Sequence, residues 1–362
     1  YDVIISNLST KDDKPTQASF NQARSTPYLQ DPSQYYLSII RWSLDTYSLP
    51  IFVPTMAPNA GIDGHDANET IYTITLQYGD ELVRQPIIFI PQDKDAEVPV
   101  APGLLNGVQQ NSGGYYNVYN YAYLIWLVNT ALSTCFAELA LVAPLPTDKA
   151  PFLTFDPTSK IAIMNCALDG FGVDTAGGPV DIYFNTNLAG LFSSFPFERS
   201  KVFNRGRNFK FLTDTLGVST IMLYPPDVVP EEQYKVIQVY QENSTIATWN
   251  PVASLAIMSN TLGVIQNIDG KPTLYYNNVL INGTGNNSVS SNLITDFIAD
   301  SYQPNVIYVP SAEFRRIELV GTNPLTNLDI SIYWKNRIGE YLPFYLPAGG
   351  TATIKIMFEK RP

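Results

Sequence analysis

The stretch Leu328-Asp329-Ile330-Ser331-Ile332-Tyr333-Trp334-Lys335 decides the fold. Successive side chains of a strand point to opposite faces, so Leu328, Ile330, Ile332 and Trp334 share one side. Asp329, Ser331, Tyr333 and Lys335 take the other. After the turn-forming run Pro347-Ala348-Gly349-Gly350 the pattern returns, with Ala352, Ile354, Ile356 and Phe358 alternating with Thr353, Lys355, Met357 and Glu359. Strands with one dry and one wet face belong in antiparallel sandwiches.

Upstream, Tyr72, Ile74, Leu76 and Tyr78 alternate with Thr73, Thr75 and Gln77, then Gly79-Asp80 breaks the run and Leu82–Ile90 returns. That spacing predicts a hairpin whose turn tolerates a positive φ. One stretch departs from period two. From Tyr121 to Ala143, Leu124, Leu127, Val128, Ala131, Leu132, Cys135 and Leu139 recur at helical spacing, with Asn129, Thr130, Ser133 and Thr134 on the opposite face. The length would just span a bilayer, but the polar face and the lack of flanking Lys or Arg favour a helix covering a sheet. Shorter helices are predicted over Asn187–Phe195 and Asn292–Ala299, the second capped by Ser291 or Asn292.

Composition supports this reading. Of 362 residues 12% are aromatic and only 15% charged, with 27 Pro and 22 Gly. Such a chain is neither disordered nor a coiled coil; it consists of strands joined by many turns. The expected fold class is therefore all-β, two antiparallel β-sandwiches with a few short helices. The boundary is expected between Phe195 and Glu232, where Pro225-Pro226-Asp227-Val228-Val229-Pro230 reads as a linker. A faint echo between Leu37-Ser38-Ile39-Ile40 and Leu255-Ala256-Ile257-Met258 suits two related units. The organisation expected is an N-terminal arm over residues 1–30, a first sandwich over 31–215 and a second over 216–362.

The inventory for chemistry is thin. The single histidine, His65, sits in a turn-forming loop whose Asp63, Asp66 and Asn68 miss calcium-loop spacing. Without a second histidine most metal and acid–base sites are excluded, so neither catalytic residues, metal nor cofactor are expected. Cys135 and Cys166 read as buried free thiols. No nucleophile elbow, phosphate loop or dinucleotide fingerprint is present. A carboxylate pair in a cleft, or aromatic loops stacking on sugars, would make the chain a glycosidase or a carbohydrate-binding module instead. Sequons at Asn7, Asn68, Asn243, Asn282 and Asn286 carry no information in so Asn-rich a chain.

Net charge is −11, which argues against wholesale wrapping of nucleic acid. Against that background Arg199, Lys201, Arg205, Arg207 and Lys210, interleaved with Phe197, Phe203 and Phe209, form a basic island. It reads as a patch for an anion or an acidic neighbour, or as cations paired with nearby carboxylates.

Trp249-Asn250-Pro251-Val252, Ser259-Asn260-Thr261-Leu262, Thr295-Asp296-Phe297, Tyr308-Val309-Pro310, Arg315-Arg316-Ile317-Glu318-Leu319 and the closing strands together resemble the jelly-roll capsid proteins of tailless icosahedral DNA viruses, those of virophages and polinton-like viruses above all. The resemblance implies a double jelly roll, a homotrimeric capsomer tiling an icosahedral shell, and a place in the virion after assembly inside the host cell. A penton-type subunit, one jelly roll plus an insertion assembling as a pentamer, is the alternative for a chain this short. Partners would be copies of itself and other capsid proteins, with weak contact to the genome or internal proteins and no small-molecule substrate. For such a shell Tyr115, Tyr116 and Tyr119, with Tyr341, Phe344 and Tyr345, are candidate interface aromatics, since aromatic rings dominate interface cores.

Overall fold

The computed structural model describes residues 1–8, 15–55, 71–90, 92, 116–199, 207–213, 218–223, 233–264, 273–276, 279–280, 292–298, 305–308, 315–337 and 339–362. The chain opens with β1 (Asp2–Ser6), β2 (Thr16–Gln17), β3 (Ser19–Ala23), a 3-10 turn and β4 (Tyr35–Asp45). Its middle holds β5 (Thr73–Tyr78), β6 (Glu81–Pro86), α1 (Tyr121–Val142), β7 (Phe152–Asp156), β8 (Ile161–Ala167), α2 (Leu168–Phe171), β9 (Asp181–Phe184), α3 (Thr186–Leu191), β10 (Phe197–Arg199), β11 (Phe209–Phe211), β12 (Val218–Leu223), β13 (Gln233–Tyr240) and α4 (Ile246–Trp249). The last part holds β14 (Val252–Ser259), β15 (Thr273–Tyr276), β16 (Val279–Leu280), β17 (Asn292–Phe297), β18 (Asn305–Tyr308), β19 (Ile317–Glu318), β20 (Asn327–Asn336), β21 (Glu340–Pro343), β22 (Tyr345–Leu346) and β23 (Thr351–Lys360).

Two compact units result, one made of Tyr1–Ile51 with Asn250–Pro362 and one of Phe52–Trp249. The expectation of an all-β chain with two β units and a few helices holds, but the units are not the consecutive segments 31–215 and 216–362. The reason lies in the strand pairing. The last strand, β23, sits between β1 and β4, so both chain ends are needed to make one sheet. Residues 1–30 are correspondingly woven in: β1 pairs with β23, and β3 pairs with β20. The supposed linker joins β12 to β13, which are paired antiparallel neighbours. The faint echo likewise relates β4 and β14, two strands of the same unit.

In this first unit one sheet runs β1-β23-β4-β18 with β19 also on β4, and the other runs β16-β15-β21-β20-β14-β17 with β3 on β20. Their inner faces share one core. Leu37, Leu44, Ile354 and Ile356 from one sheet meet Leu255, Ile257, Ile330, Ile332 and Trp334 from the other. The inward rows quoted for β20 and β23 are realised as read, but Asp329 and Tyr333 on the other face of β20 are buried as well, 8% exposed each. The segment expected to be helical from Asn292 is the exception, since Asn292–Phe297 form strand β17 and residue 299 lies outside the described residues. Pairing with β14 and burial of Ile294 in the core outweigh a short and weak helical pattern.

A buried carboxylate ties the turn after β14. Asp329 accepts from Ser259 Oγ at 2.6 Å, from the amides of Asn260 and Thr261 at 2.9 and 2.8 Å, and from Thr261 Oγ1 at 2.5 Å. Burial alone would raise its pKa, but these donors outweigh burial and hold the carboxyl below its ordinary range.

The second unit has sheets β10-β11-β9-β5-β6 and β12-β13-β8-β7. The β5–β6 hairpin turns where expected, with Gly79 at φ +58°. Helix α1 packs against β5 and β6 of one sheet and β7 of the other. Leu124, Val128, Leu132, Cys135 and Leu139 are buried along one face, so the helix is part of this unit's core. Asn120 caps its first turn by accepting from the Tyr123 amide. Asn129 treats β7 as a second strand would, donating to the Leu153 carbonyl at 2.9 Å and accepting from the Leu153 amide at 2.7 Å.

Candidate assembly surfaces

Short strand β21 positions the run Tyr341–Tyr345. Leu342 points into the sandwich core, and Tyr341, one residue earlier, takes the opposite face of the same sheet. There Tyr341 is 5% exposed and packs with Ala256, Met258 and Tyr333, with Lys335 Nζ 5.5 Å from its ring centre. Phe344 is buried in the sandwich core and Tyr345 is half-buried on β22, paired to β2. Tyr341 and Phe344 are therefore interior side chains of the chain itself rather than rim aromatics. What buries them is the pairing of β21 on β20, which a local reading of an aromatic run does not reveal.

The run before α1 divides in a similar way. Tyr115 lies outside the described residues. Tyr116 is buried against Phe89, ring centres 5.5 Å apart, and Val118 bridges to Phe52. Tyr121 stacks on Phe155 at 4.7 Å and meets Trp249 at 5.8 Å. Among the described tyrosines of this run Tyr119 is the exposed one, at 36%.

Tyr119 has neighbours that its sequence context does not announce. Its amide donates to Gln92 Oε1 at 2.8 Å, and the Tyr123 hydroxyl donates to the Ile90 carbonyl. Segment 87–90 therefore runs beside the entry to α1. Phe89 turns inward onto Tyr116, which leaves Ile88 and Ile90 pointing out, 49% and 38% exposed. One turn along the helix, Trp126 is 48% exposed with its ring 5.5 Å from that of Tyr123. Burial raises the pKa of Tyr123, so its hydroxyl stays protonated as a donor. The missed signal was the stripe Ala122, Trp126, Thr130, Ser133, Ala137, which recurs every three or four residues on the face away from the core.

Of the basic island, Lys201 and Arg205 lie outside the described residues, as does His65. Arg199 and Lys210 lie on strands β10 and β11, and Arg207 lies just before β11. Arg84, Thr75, Tyr183, Lys210 and Glu198 form one cross-strand row through β6, β5, β9, β11 and β10. Lys210 Nζ is 2.8 Å from Asp181 Oδ1, Arg207 donates to Gln77 Oε1 at 2.8 Å, and Arg199 is exposed at the end of β10. Of the interleaved aromatics Phe203 lies outside the described residues and Phe197 and Phe209 meet edge to face at 5.7 Å, while Phe197 and Phe184 reach the buried Phe211 at 4.7 and 4.8 Å. Burial first, then the charge of Asp181 and the hydrogen bond to it, push the Tyr183 hydroxyl up to about 12.

Both cysteines are free and buried, 0% and 1% exposed. Burial pushes the Cys135 thiol up to about 12 and raises that of Cys166 further, so neither is a nucleophile near neutral pH. Among the described residues no three His, Cys, Asp or Glu side chains cluster as metal ligands would.

Comparison with known proteins follows from this geometry. A family model described as Sputnik minor capsid protein V18/19 matches residues 1–360. Structural protein V19 of Sputnik virophage is 26% identical over 210 residues, 56% of this chain and 91% of that protein. Uncharacterized protein V18 of the same virophage is 30% identical over 155 residues, 42% of this chain and 88% of that protein. A chain of the 3.5 Å cryo-EM structure of the Sputnik virophage superposes with a TM-score of 0.78 at 23% identity, covering 100% of this chain and 97% of that one. The selenomethionine-labelled mavirus penton protein superposes at 0.58 and 16% identity, covering 99% and 98%. The structural likeness shows a shared β-rich fold of jelly-roll type.

Proposed function

The chain belongs to the Sputnik minor capsid protein V18/19 family, a structural component of the virion with no catalytic role, and we propose that it is a penton-type subunit, five copies closing a ring at a vertex of the shell. The observation that carries this reading is the discontinuous first unit. One sandwich is built from Tyr1–Ile51 and Asn250–Pro362, and the second unit, Phe52–Trp249, is inserted between its strands. One jelly roll with an inserted unit is the arrangement expected of a penton, whereas the major capsomer subunit places two jelly rolls one after the other. Likeness to the mavirus penton protein over 99% of the chain supports the same reading.

Closed rings use heterologous contacts, in which two different patches on each copy meet. Native mass spectrometry of the purified full chain, with negative-stain images of the same sample, tests the stoichiometry. Five copies per particle and fivefold rings are expected. Three copies per particle, the trimeric capsomer anticipated from the sequence, would overturn the reading.

A further inference from the structure

We propose that the uncharged apolar patch at the entry to α1, formed by Ile88, Ile90, Tyr119, Tyr123 and Trp126, is a contact surface for a second copy of this chain. The inference rests on the ring assembly proposed above and specifies one surface through which it closes.

The patch is continuous. Tyr123 bonds to Ile90, Tyr119 to Gln92, and the rings of Tyr123 and Trp126 touch, while Phe89 and Tyr116 below lock the segment in place. Its exposures are large for such residues: 49% for Ile88, 48% for Trp126, 38% for Ile90 and 36% for Tyr119. Together they offer on the order of 350 Å² of apolar area, as much as the largest patch of an ordinary monomer. A standard interface takes about 800 Å² from each partner, with an apolar centre and a polar rim. The patch has the size of such a centre, and among the described residues the exposed Asn120 and Thr130 and the half-buried Gln92 beside it are polar and uncharged.

Charge selects the occupant. Each copy has 33 acidic against 22 basic residues, a net −11, so copies repel one another. A contact between copies is least unfavourable where no like charges meet, and this patch contains no ionised side chain. The only charged residue on α1, Glu138, is about 18 Å further along the helix axis from Trp126. A cationic partner would find nothing here to recognise, whereas an identical anionic partner finds the one property it needs.

Trp126 supplies a reporter. The chain has four tryptophans, and Trp42, Trp249 and Trp334 are only 4%, 3% and 6% exposed. Iodide therefore quenches Trp126 almost selectively. In the full chain, iodide quenching should fall several-fold as rising concentration drives single chains into rings. Trp126→Glu and, separately, Ile88→Glu should shift the midpoint of assembly, read by light scattering, at least tenfold higher in concentration. Both side chains face solvent, so the circular dichroism melt of each variant should match the parent.

Rings that persist in both variants at the parent's midpoint, or a parent whose Trp126 stays quenchable in the ring, would sink the proposal while leaving the pentamer standing. A ring of another order with Trp126 shielded would do the reverse. A parent that remains single at every concentration, or shields Trp126 only on adding a different capsid protein, overturns it too.

Discussion

In the unit built from both chain ends, β20 and β23 each send one row of side chains into the space between two sheets. Ile330, Ile332, Ile354 and Ile356 are 0–3% exposed, while Lys355 on the far face is exposed. β14 of the same unit differs, with Ser254, Leu255, Ala256, Ile257, Met258 and Ser259 all buried, and two strands of the inserted unit resemble it. Along β5, Thr73, Ile74, Thr75 and Leu76 are 3%, 0%, 0% and 0% exposed, so both faces are buried. Along β8, Met164, Asn165, Cys166 and Ala167 are buried in succession. A strand open on its outer face, as β23 is, keeps its two-residue period visible. A strand covered on both faces, β14 in one unit and β5 and β8 in the other, carries buried residues at consecutive positions, and the period disappears.

The inserted unit concentrates its core in rings. Phe184, Phe195, Phe197 and Phe211 pack at centre-to-centre distances of 4.7 to 6.2 Å, largely edge to face. Phe211→Ala should lower unfolding stability by about 4 kcal/mol, the larger of two core deletions, whereas Ile330→Ala in the sandwich should cost about 3 kcal/mol. Urea denaturation of each variant measures both. The two residues belong to different compact units, so the double variant should show the sum to within about 0.5 kcal/mol. A departure from additivity would mean that the two cores are not energetically separate.

The next contrast is between the polar ties. Asp329→Ala in the sandwich leaves the hydroxyls of Ser259 and Thr261 and the amides of Asn260 and Thr261 without their acceptor. A loss of about 3 kcal/mol at pH 7 is expected. The pH dependence has a definite sign. The folded pKa of Asp329 lies below its ordinary value, so its contribution is fully present above the unfolded pKa of 3.8 and is lost as pH falls through the folded value. Asp329→Asn should flatten that acid limb, measured by melting from pH 6 down to pH 2. In the inserted unit the tie is Asn129. Asn129→Leu keeps the volume but strands the Leu153 amide and carbonyl, at a cost of about 2 kcal/mol and with faster hydrogen exchange at Leu153.

These differences explain what was readable in the chain beforehand. The β20 and β23 alternations, the β5–β6 hairpin and the span of α1 were legible because each depends on local spacing. The nesting of one unit inside another was not, since it depends on β23 choosing β1 and β4 as neighbours, a choice made over the whole length of the chain. Aromatic runs misled for the same reason. Tyr116, Tyr341 and Phe344 look like surface tyrosine and phenylalanine until β21 pairs with β20 and Phe89 packs on Tyr116. Trp126 and Ile88 were missed because outward apolar residues in an apolar helix or strand do not stand out from inward ones.

The smallest effect falls inside the inserted unit and has the opposite sign. Thr75 is 0% exposed, and its hydroxyl has no hydrogen-bond partner among the described residues. It lies in the cross-strand row between Arg84 and Tyr183, on the face of β5 opposite Ile74 and Leu76. Valine has the same shape and a higher preference for strands, and it removes the orphaned hydroxyl. Thr75→Val should therefore stabilise the protein by about 1 kcal/mol in urea melts. A loss of stability would show that the hydroxyl is satisfied in solution. In that case the burial of consecutive residues along β5 would rest on polar pairing rather than on apolar packing, and the contrast with the sandwich would narrow to its helix alone.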